Sequence, residues 1–379
     1  MNDLFSIPAT LYRGGTSKGP LFLAQDLPRD KAVLDAVLLA AMGSPHKRQV
    51  DGVGGAESLT SKVVIVSRSH RPDADVDYLF AQVNPESPLV DYSSNCGNML
   101  SAIAPFAVEK GLVQAGSPTT TVRIYNANTD SLIEATIQTP DRQVRYAGDA
   151  MIDGVPGTAS AVVENFAGTV GSKTKKLLPT SEVVETIDGL LVTCIDVAVP
   201  AVLVHAESLG LSGAESKAEL DANKELIARL DRIRVEAGRR MGMGECGDLV
   251  VPKPLVLSAP RRGGTITSRD FVPYACHATH SVTGATALAA ACILPGSIAQ
   301  RITGLSPGGL VTVSIEHPSG RMDMDVQAEA QNGAFTLRQA NLLRTTRRLF
   351  RGEIDVPAHL WDGSGKARDV ADIAAGITF

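Results

Sequence analysis

A chain of 379 residues with 36 Lys and Arg against 41 Asp and Glu carries a formal charge of −5, and the two signs are interleaved, which argues against a nucleic-acid surface or a polybasic membrane patch. The length allows two domains of ordinary size with a substantial core, and no run approaches the ~18 apolar residues of a membrane span. Five cysteines, Cys96, Cys194, Cys246, Cys276 and Cys292, are odd in number and widely spaced, so neither a disulfide nor a zinc framework is indicated and a reducing cytoplasm is expected.

In chain order, the opening Met1-Asn2-Asp3-Leu4-Phe5 lacks the basic segment and apolar run of a leader. Pro20–Leu23, Ser61–Val66, Asp77–Val83 and Thr121–Tyr125 are short β-branched or apolar runs that read as strands. Between the first two, Arg29 to Met42 predicts an amphipathic helix stopped by Gly43. Asn95-Cys96-Gly97-Asn98-Met99 then places a thiol on a glycine turn before an apolar helix, Leu100 to Val108, which runs to Lys110 and ends at Gly111. A boundary is expected near Pro179-Thr180-Ser181-Glu182. Beyond it, Leu191–Val197, Ala201–Val204 and Leu255–Leu257 read as strands, and Ala214 to Arg240 as a long charged helix. His280 to Cys292 is a second apolar, small-residue helix, again entered through a glycine turn and ending at Pro295-Gly296. The two halves repeat one plan, β-rich with a buried helix, which suggests a duplicated fold. Aromatic content is only 4%, so the core is expected to be Val, Ile, Leu and Ala.

The chemistry concentrates at the two helix entrances. Unpaired N–H groups and the positive dipole end favour a thiolate or a carboxylate there. If the two entrances face one another across a cleft, they form a pocket suited to a di- or tricarboxylate. Cys96 is either a working thiol in that pocket or one more inert buried cysteine. Cys276-His277 with His280 is the nearest metal-like grouping, but it lacks a third ligand. Thr16, Ser17 and Lys18 lie on a glycine-rich turn able to offer amides and hydroxyls to a carboxylate, without the wider spacing of a Walker loop. Gly54 and Gly55 allow close backbone approach or simply make a turn, and His317 before Pro318 reads as structural.

Several of these motifs resemble the 2-methylaconitate isomerase, or PrpF, family, which includes methylitaconate Δ-isomerase, 4-oxalomesaconate tautomerase and aconitate Δ-isomerase. The resemblance rests on Arg13-Gly14-Gly15-Thr16-Ser17-Lys18-Gly19, Asp51-Gly52-Val53-Gly54-Gly55, Leu59-Thr60-Ser61-Lys62 and Asn95-Cys96-Gly97-Asn98. It continues through Asp153-Gly154-Val155-Pro156-Gly157-Thr158, Leu178-Pro179-Thr180, Thr283-Gly284, His317-Pro318-Ser319-Gly320 and Arg344-Thr345-Thr346-Arg347-Arg348, covering roughly residues 7 to 355. It implies an α+β architecture like diaminopimelate epimerase: two similar β-rich, barrel-like domains, each wrapped around a central apolar helix, with the active site in the interdomain cleft. The corresponding domains are 1–182 and 183–379, with 356–379 as an extension without an assigned role.

The resemblance further implies a cofactor-independent, metal-free 1,3-allylic proton shift on a branched unsaturated di- or tricarboxylate such as methylaconitate, methylitaconate or aconitate, the alternatives being a 4-oxalomesaconate tautomerase, an epimerase or racemase, and a non-catalytic carboxylate-binding protein that intact Lys62 and Cys96 speak against. Lys62 matches the family's catalytic lysine, and the apolar strand that follows it should desolvate it and lower its pKa; without the resemblance, an exposed lysine at a strand end is the commoner case. Cys96 matches the active-site thiol and either relays a proton or packs against substrate. In epimerases of this fold each domain supplies one thiol base; aligning Thr283-Gly284-Ala285 with the second motif puts Ser281 at the other position, which disfavours two-thiol racemisation. Glu245-Cys246-Gly247 imitates the lost motif but sits in a loop. Carboxylate contacts are expected from Thr16, Ser17, Lys18, Asn95, Gly97, Asn98, Ser281, Thr283 and Gly284. Arg347 and Arg348 read equally as carboxylate ligands or surface arginines, and His277 or His280 as cleft-lining. Association into a homo-oligomer is left open.

Overall fold

A computed structural model describes residues 3–92, 95–247, 249–272, 274–331 and 334–377. The chain is mixed α+β and strand-rich, and it divides into two compact units, Met1–Glu164 with Leu343–Phe379, and Asn165–Leu342. The sequence reading places one linear cut at 182/183, whereas the chain leaves the first unit after Glu164 and returns to it at Leu343.

The first unit runs β1 (Leu4–Gly14), β2 (Ser17–Leu23), α1 (Lys31–Met42), β3 (Lys62–Arg68), β4 (Val76–Val83), β5 (Val90–Asp91), α2 (Gly97–Leu100), α3 (Ile103–Glu109), β6 (Thr119–Asn126), β7 (Ser131–Gln138) and β8 (Ala161–Asn165). The second contains β9 (Glu185–Ile187), β10 (Leu190–Val197), β11 (Val199–His205), α4 (Lys217–Ala222), α5 (Lys224–Arg240), β12 (Lys253–Ser258), β13 (Ile266–Asp270), α6 (Val282–Cys292), α7 (Ile298–Thr303), β14 (Val311–His317) and β15 (Gly320–Gln331). β16 (Ala334–Pro357) carries the chain back, and α8 (Val370–Ala374) closes it.

In the first unit the strand order is β1-β2-β3-β4-β6-β7-β8-β16, and β16 also pairs with β1, so the strands close into a ring. Closure removes the exposed hydrogen-bonding edges of an open sheet. β6 and β7 alternate buried and exposed residues, the pattern of strands with one wet face. In β3 the run Val63–Val66 is buried throughout, because one face meets the core around α1 and the other faces inward. In the second unit the order is β16-β15-β14-β13-β12-β11-β10-β9, and α6 packs against β10, β11, β12, β14 and β15.

Three expectations change. The apolar helix after Cys96 is broken: α2 is one turn, and α3 starts at Ile103. Pro105 has no N–H with which to continue the ladder across the break, and Ser101 Oγ donates to the Asn98 carbonyl at 2.7 Å instead. The helix from 214 to 240 is two helices, divided at Asn223, whose side chain accepts from Leu226 N at 3.0 Å and starts the second. The 356–379 extension belongs to the core of the first unit, with residues 378 and 379 outside the described set. Trp361, Val370, Ile373 and Ile377 pack with Ile7, Leu34 and Val356, and the Trp361 ring meets Phe5 edge-on at 4.9 Å. Arg29 N donates to Gly365 O and Ala367 N to Leu27 O, both at 2.9 Å, stitching this tail to the start of the unit.

Candidate active site

In the first unit, β1 and β2 are joined by the Gly15-Thr16 turn. Gly15 holds φ at +51°, and a side chain on it would collide with Asn98, so glycine is required for conformation and for close approach. Arg13 fastens the turn by donating from Nη1 to Gly15 O at 2.9 Å and Thr345 O at 2.8 Å. The turn therefore lies on the segment containing Cys96. Asn98 Nδ2 donates to Thr16 Oγ1 at 3.2 Å, and Cys96 Sγ lies 3.9 Å from Ser17 Oγ. Tyr78 Oη donates to Asn95 Oδ1 at 3.2 Å, anchoring the near side of the thiol. Cys96 occupies the N-cap of α2 without capping it through its side chain, which leaves the sulfur uncommitted to the helix.

Two residues further along β2, a side chain at Gly19 would coincide with the Lys62 carbonyl oxygen. β2 thus passes Cys96 at Ser17 and Lys62 at Gly19, a separation of roughly 7 Å along the strand. Lys62 opens β3, is 7% exposed, and donates from Nζ to Gln82 Oε1 at 2.8 Å. Nζ also stands 5.1 Å from the centre of the Phe80 ring, a favourable cation–π position. Gln82 pairs with Lys62 across the β3–β4 ladder, and its amide is held by Ser58 O and Ser61 O at 3.1 and 3.0 Å. Ser61 is tied back through Gln49, whose Oε1 accepts from Ser61 Oγ at 2.7 Å and Ala56 N at 2.8 Å. This bond explains how the Asp51–Gly55 loop is fixed beside Lys62.

The entrance of α6, in the second unit, is built differently. Ser281, not a glycine, is the N-cap; its Oγ accepts from Gly284 N at 3.2 Å. The same hydroxyl donates to Asp270 Oδ2 and accepts from Lys253 Nζ at 2.9 Å. Burial alone would raise the Asp270 pKa, but Lys253, His280 and Ser281 outweigh it and hold the carboxyl below its ordinary range. His280 is 3% exposed and bridges Ser268 Oγ and Ser281 O, both at 3.0 Å; its burial lowers its pKa against the pull of Asp270. Thr283 is half-buried in the first turn, and Gly284 packs beneath Ser281.

The structure therefore gathers Thr16, Ser17, Lys18, Asn95, Cys96, Gly97 and Asn98 around one turn with Lys62 close by, and Ser281, Thr283 and Gly284 at another. His280 is a structural member of the second entrance. Arg348 is engaged by Glu109, Nη1 to Oε1 at 2.8 Å. His317 shapes the Arg262 loop through its carbonyl, which accepts from Arg262 Nη2 at 2.6 Å. Cys246 is a buried loop cysteine, as its flanking sequence indicates. Among the described residues, no group of three or more His, Cys, Asp or Glu has metal-binding geometry, and no helix is long and apolar enough to cross a membrane.

Sequence reasoning missed Gln82, Lys253, Asp270 and Glu164. Gln82 becomes visible only with the β3–β4 register, and Lys253 and Asp270 only when β12 and β13 bring both to Ser281. Glu164 did leave a trace, a carboxylate ending the apolar run Ala161-Val162-Val163.

The chain matches the PrpF protein family over residues 4–357. It is 47% identical to the 4-oxalomesaconate tautomerase of Pseudomonas putida over 360 residues, 95% of this chain and 99% of that protein. The crystal structure of a methylitaconate Δ-isomerase superposes with a TM-score of 0.84 at 34% identity, covering 95% of this chain and 97% of that one. A hydroxyproline epimerase from Agrobacterium vitis, 11% identical, shares the fold with a TM-score of 0.52 over 96% of this chain and 98% of that one. Together with the Cys96 and Lys62 motifs, these similarities establish that the chain belongs to the PrpF family of isomerases and tautomerases, on an epimerase-like fold.

Proposed function

We propose that this isomerase catalyses a 1,3-allylic proton shift on a branched, unsaturated di- or tricarboxylate of the methylaconitate, methylitaconate or aconitate type, with Lys62 as the acid–base group and Cys96 assisting. The observation that carries this reading is the environment of Lys62. It is almost fully buried, it is held by a neutral amide oxygen and an aromatic face, and no carboxylate pairs with it among the described residues. Buried lysines are rare without a counter-charge, and an anionic substrate would supply one.

The chemistry follows from the substrate class. As the base, the Lys62 amine takes a proton from the carbon next to the unsaturated acid, and the electron pair spreads into the conjugated carboxylate as a dienolate. A proton then returns to the carbon two positions away, and the double bond moves with no net change in atoms or charge. The substrate's own carboxylate acidifies the C–H. Ser17 with Thr16, Lys18, Asn95, Gly97 and Asn98 is assigned to holding a carboxylate beside Cys96. In the second unit Thr283, in the first turn of α6, is assigned the same task, with Ser281 and Gly284 shaping that turn.

A second reading, tautomerisation of a 4-oxalo acid, is favoured by the 47% identity to an oxalomesaconate tautomerase. In that case a ketone takes most of the developing charge. Epimerisation by two opposing thiols is disfavoured by Ser281, whose hydroxyl is committed to Asp270, Lys253 and Gly284. The deciding experiment incubates the enzyme in deuterium oxide with methylaconitate, methylitaconate, aconitate and oxalomesaconate. Deuterium at the terminal positions of a migrated double bond in one of the first three supports the allylic isomerase. Turnover restricted to oxalomesaconate selects the tautomerase, and inversion at one stereocentre without double-bond migration refutes both.

A further inference from the structure

The antiparallel register of β3 and β4 sets Lys62 opposite Gln82 and Val64 opposite Phe80. Phe80 and Gln82 are two residues apart on β4, so they share one face of that strand. Both reach the Lys62 amine: Nζ donates to Gln82 Oε1 at 2.8 Å and stands 5.1 Å from the centre of the Phe80 ring. Chemistry fixes which way the Gln82 amide is turned. Its nitrogen donates to the carbonyls of Ser58, Ser61 and Val83 at 3.1, 3.0 and 3.4 Å. Carbonyls only accept, so the NH2 end must face them and the oxygen must face Lys62. Ser61 is tied in turn to Gln49, whose Oε1 accepts from the Ser61 hydroxyl at 2.7 Å. Phe80 is clamped through its backbone: Asn128 Oδ1 accepts from Phe80 N at 2.8 Å, and Asn128 Nδ2 donates to Phe80 O at 2.9 Å. The two side chains that touch the amine are therefore themselves held from outside.

We propose that Gln82 and Phe80 are positioning residues for Lys62: each takes one N–H of the amine, and together they aim its remaining position, lone pair or proton, in a single direction. An amine acting as a base has two N–H bonds and one lone pair. An amide oxygen and the negative face of an aromatic ring both attract N–H and repel a lone pair. With an N–H directed at each of them, the lone pair turns away from β4. Once the amine has taken a proton, the third N–H lies where the lone pair was, so the proton is given back along the direction in which it was taken. Without these two acceptors the terminal group would rotate among three equivalent staggered positions, and only one of them would be productive. The inference rests on the reading that Lys62 is the acid–base group. It gives a task to an amide and an aromatic ring that this reading leaves as surroundings.

The test is a double-mutant cycle on the full-length protein, run with whichever member of the carboxylate panel it turns over. Gln82→Met keeps the length of the side chain and removes the oxygen. It should lower kcat about a hundredfold, the cost of misplacing a reacting group by about 1 Å, while KM changes less than about twofold. In a Lys62→Ala background the same substitution should cost less than about twofold, because no amine is left to aim. An unchanged kcat in Gln82→Met, or a loss of equal size in both backgrounds, overturns the proposal. A measurement on the wild-type chain guards against a variant that fails to fold. Neutron diffraction from crystals grown in deuterium oxide should place one N–D of Lys62 on Gln82 Oε1 and another over the Phe80 ring; an amide turned with its nitrogen toward Lys62 overturns the proposal as well. The two readings fail in different ways. Full turnover in Lys62→Ala refutes the acid–base reading and the positioning role with it, whereas a large loss in Lys62→Ala with none in Gln82→Met refutes the positioning role alone.

Discussion

The entrances of α2 and α6, one in each unit, treat their N-cap side chains in opposite ways. Cys96 makes no side-chain cap, and its thiol lies 3.9 Å from the Ser17 hydroxyl. Ser281 caps Gly284, donates to a buried carboxylate and accepts from a lysine. The helices behind them differ as well: α2 is a single turn broken before Pro105, whereas α6 continues for eleven residues. The lesson is that a thiol left uncommitted to its helix is available to a ligand on the proposed reading, whereas a hydroxyl spending its bonds on its own helix is poorly placed to act as a base. One N-cap side chain is left free of its helix and the other is tied into it.

The largest expected effect is on the reactive side. Lys62→Ala should reduce kcat about a thousandfold with the fold intact by circular dichroism, within the range for loss of a general acid–base group; full turnover on the carboxylate panel would remove Lys62 from the mechanism. Cys96→Ser, which gives both entrances the same hydroxyl, should lower kcat about a hundredfold. Activity near wild type would mean that the thiol only shapes the site.

On the ordered side, Asp270→Asn should destabilise the protein by about 2 kcal/mol at neutral pH in urea unfolding, since it loses hydrogen bonds between charged groups. The pH dependence has a definite sign. The folded-state pKa of Asp270 is depressed, so its stabilisation is present above the unfolded value of about 3.9 and is lost as pH falls through the depressed value. His280, kept neutral by burial, adds a loss that begins below about pH 6.5. Melting temperatures across the acid range should show both losses in the wild type, and Asp270→Asn should lack the lower one. The smallest effect is that of Ser281→Ala, about 1 kcal/mol of stability from the lost cap, together with a roughly tenfold rise in KM, which corresponds to about 1.4 kcal/mol of binding. An unchanged KM would reduce Ser281 to a cap.

Much of this was legible before any coordinates. The runs Ser61–Val66, Asp77–Val83 and Leu191–Val197 all lie within or across observed strands, because β-branched runs bounded by turns report their own local conformation. Lys62 and Cys96 stood out through their flanking motifs. Gln82, Asp270 and Lys253 did not, because each acquires meaning from a residue on another strand. The break between α2 and α3 was signalled by Pro105 but masked by a run apolar enough to suggest one helix. The tail from Val356 onward was silent because Trp361 and Ile373 show their purpose only against the core they fill.

The sequence by itself determined the strand-rich α+β character, the family and the identity of the two candidate reactive side chains, since these depend on local periodicity and on short contiguous motifs. Tertiary structure alone decided that β2 passes both Cys96 and Lys62, that Ser281 is tied to Asp270 and Lys253, and that Glu164 is fully buried. The physical reason is that burial and electrostatic pairing are properties of neighbours in space, and a strand register decides which residues become neighbours.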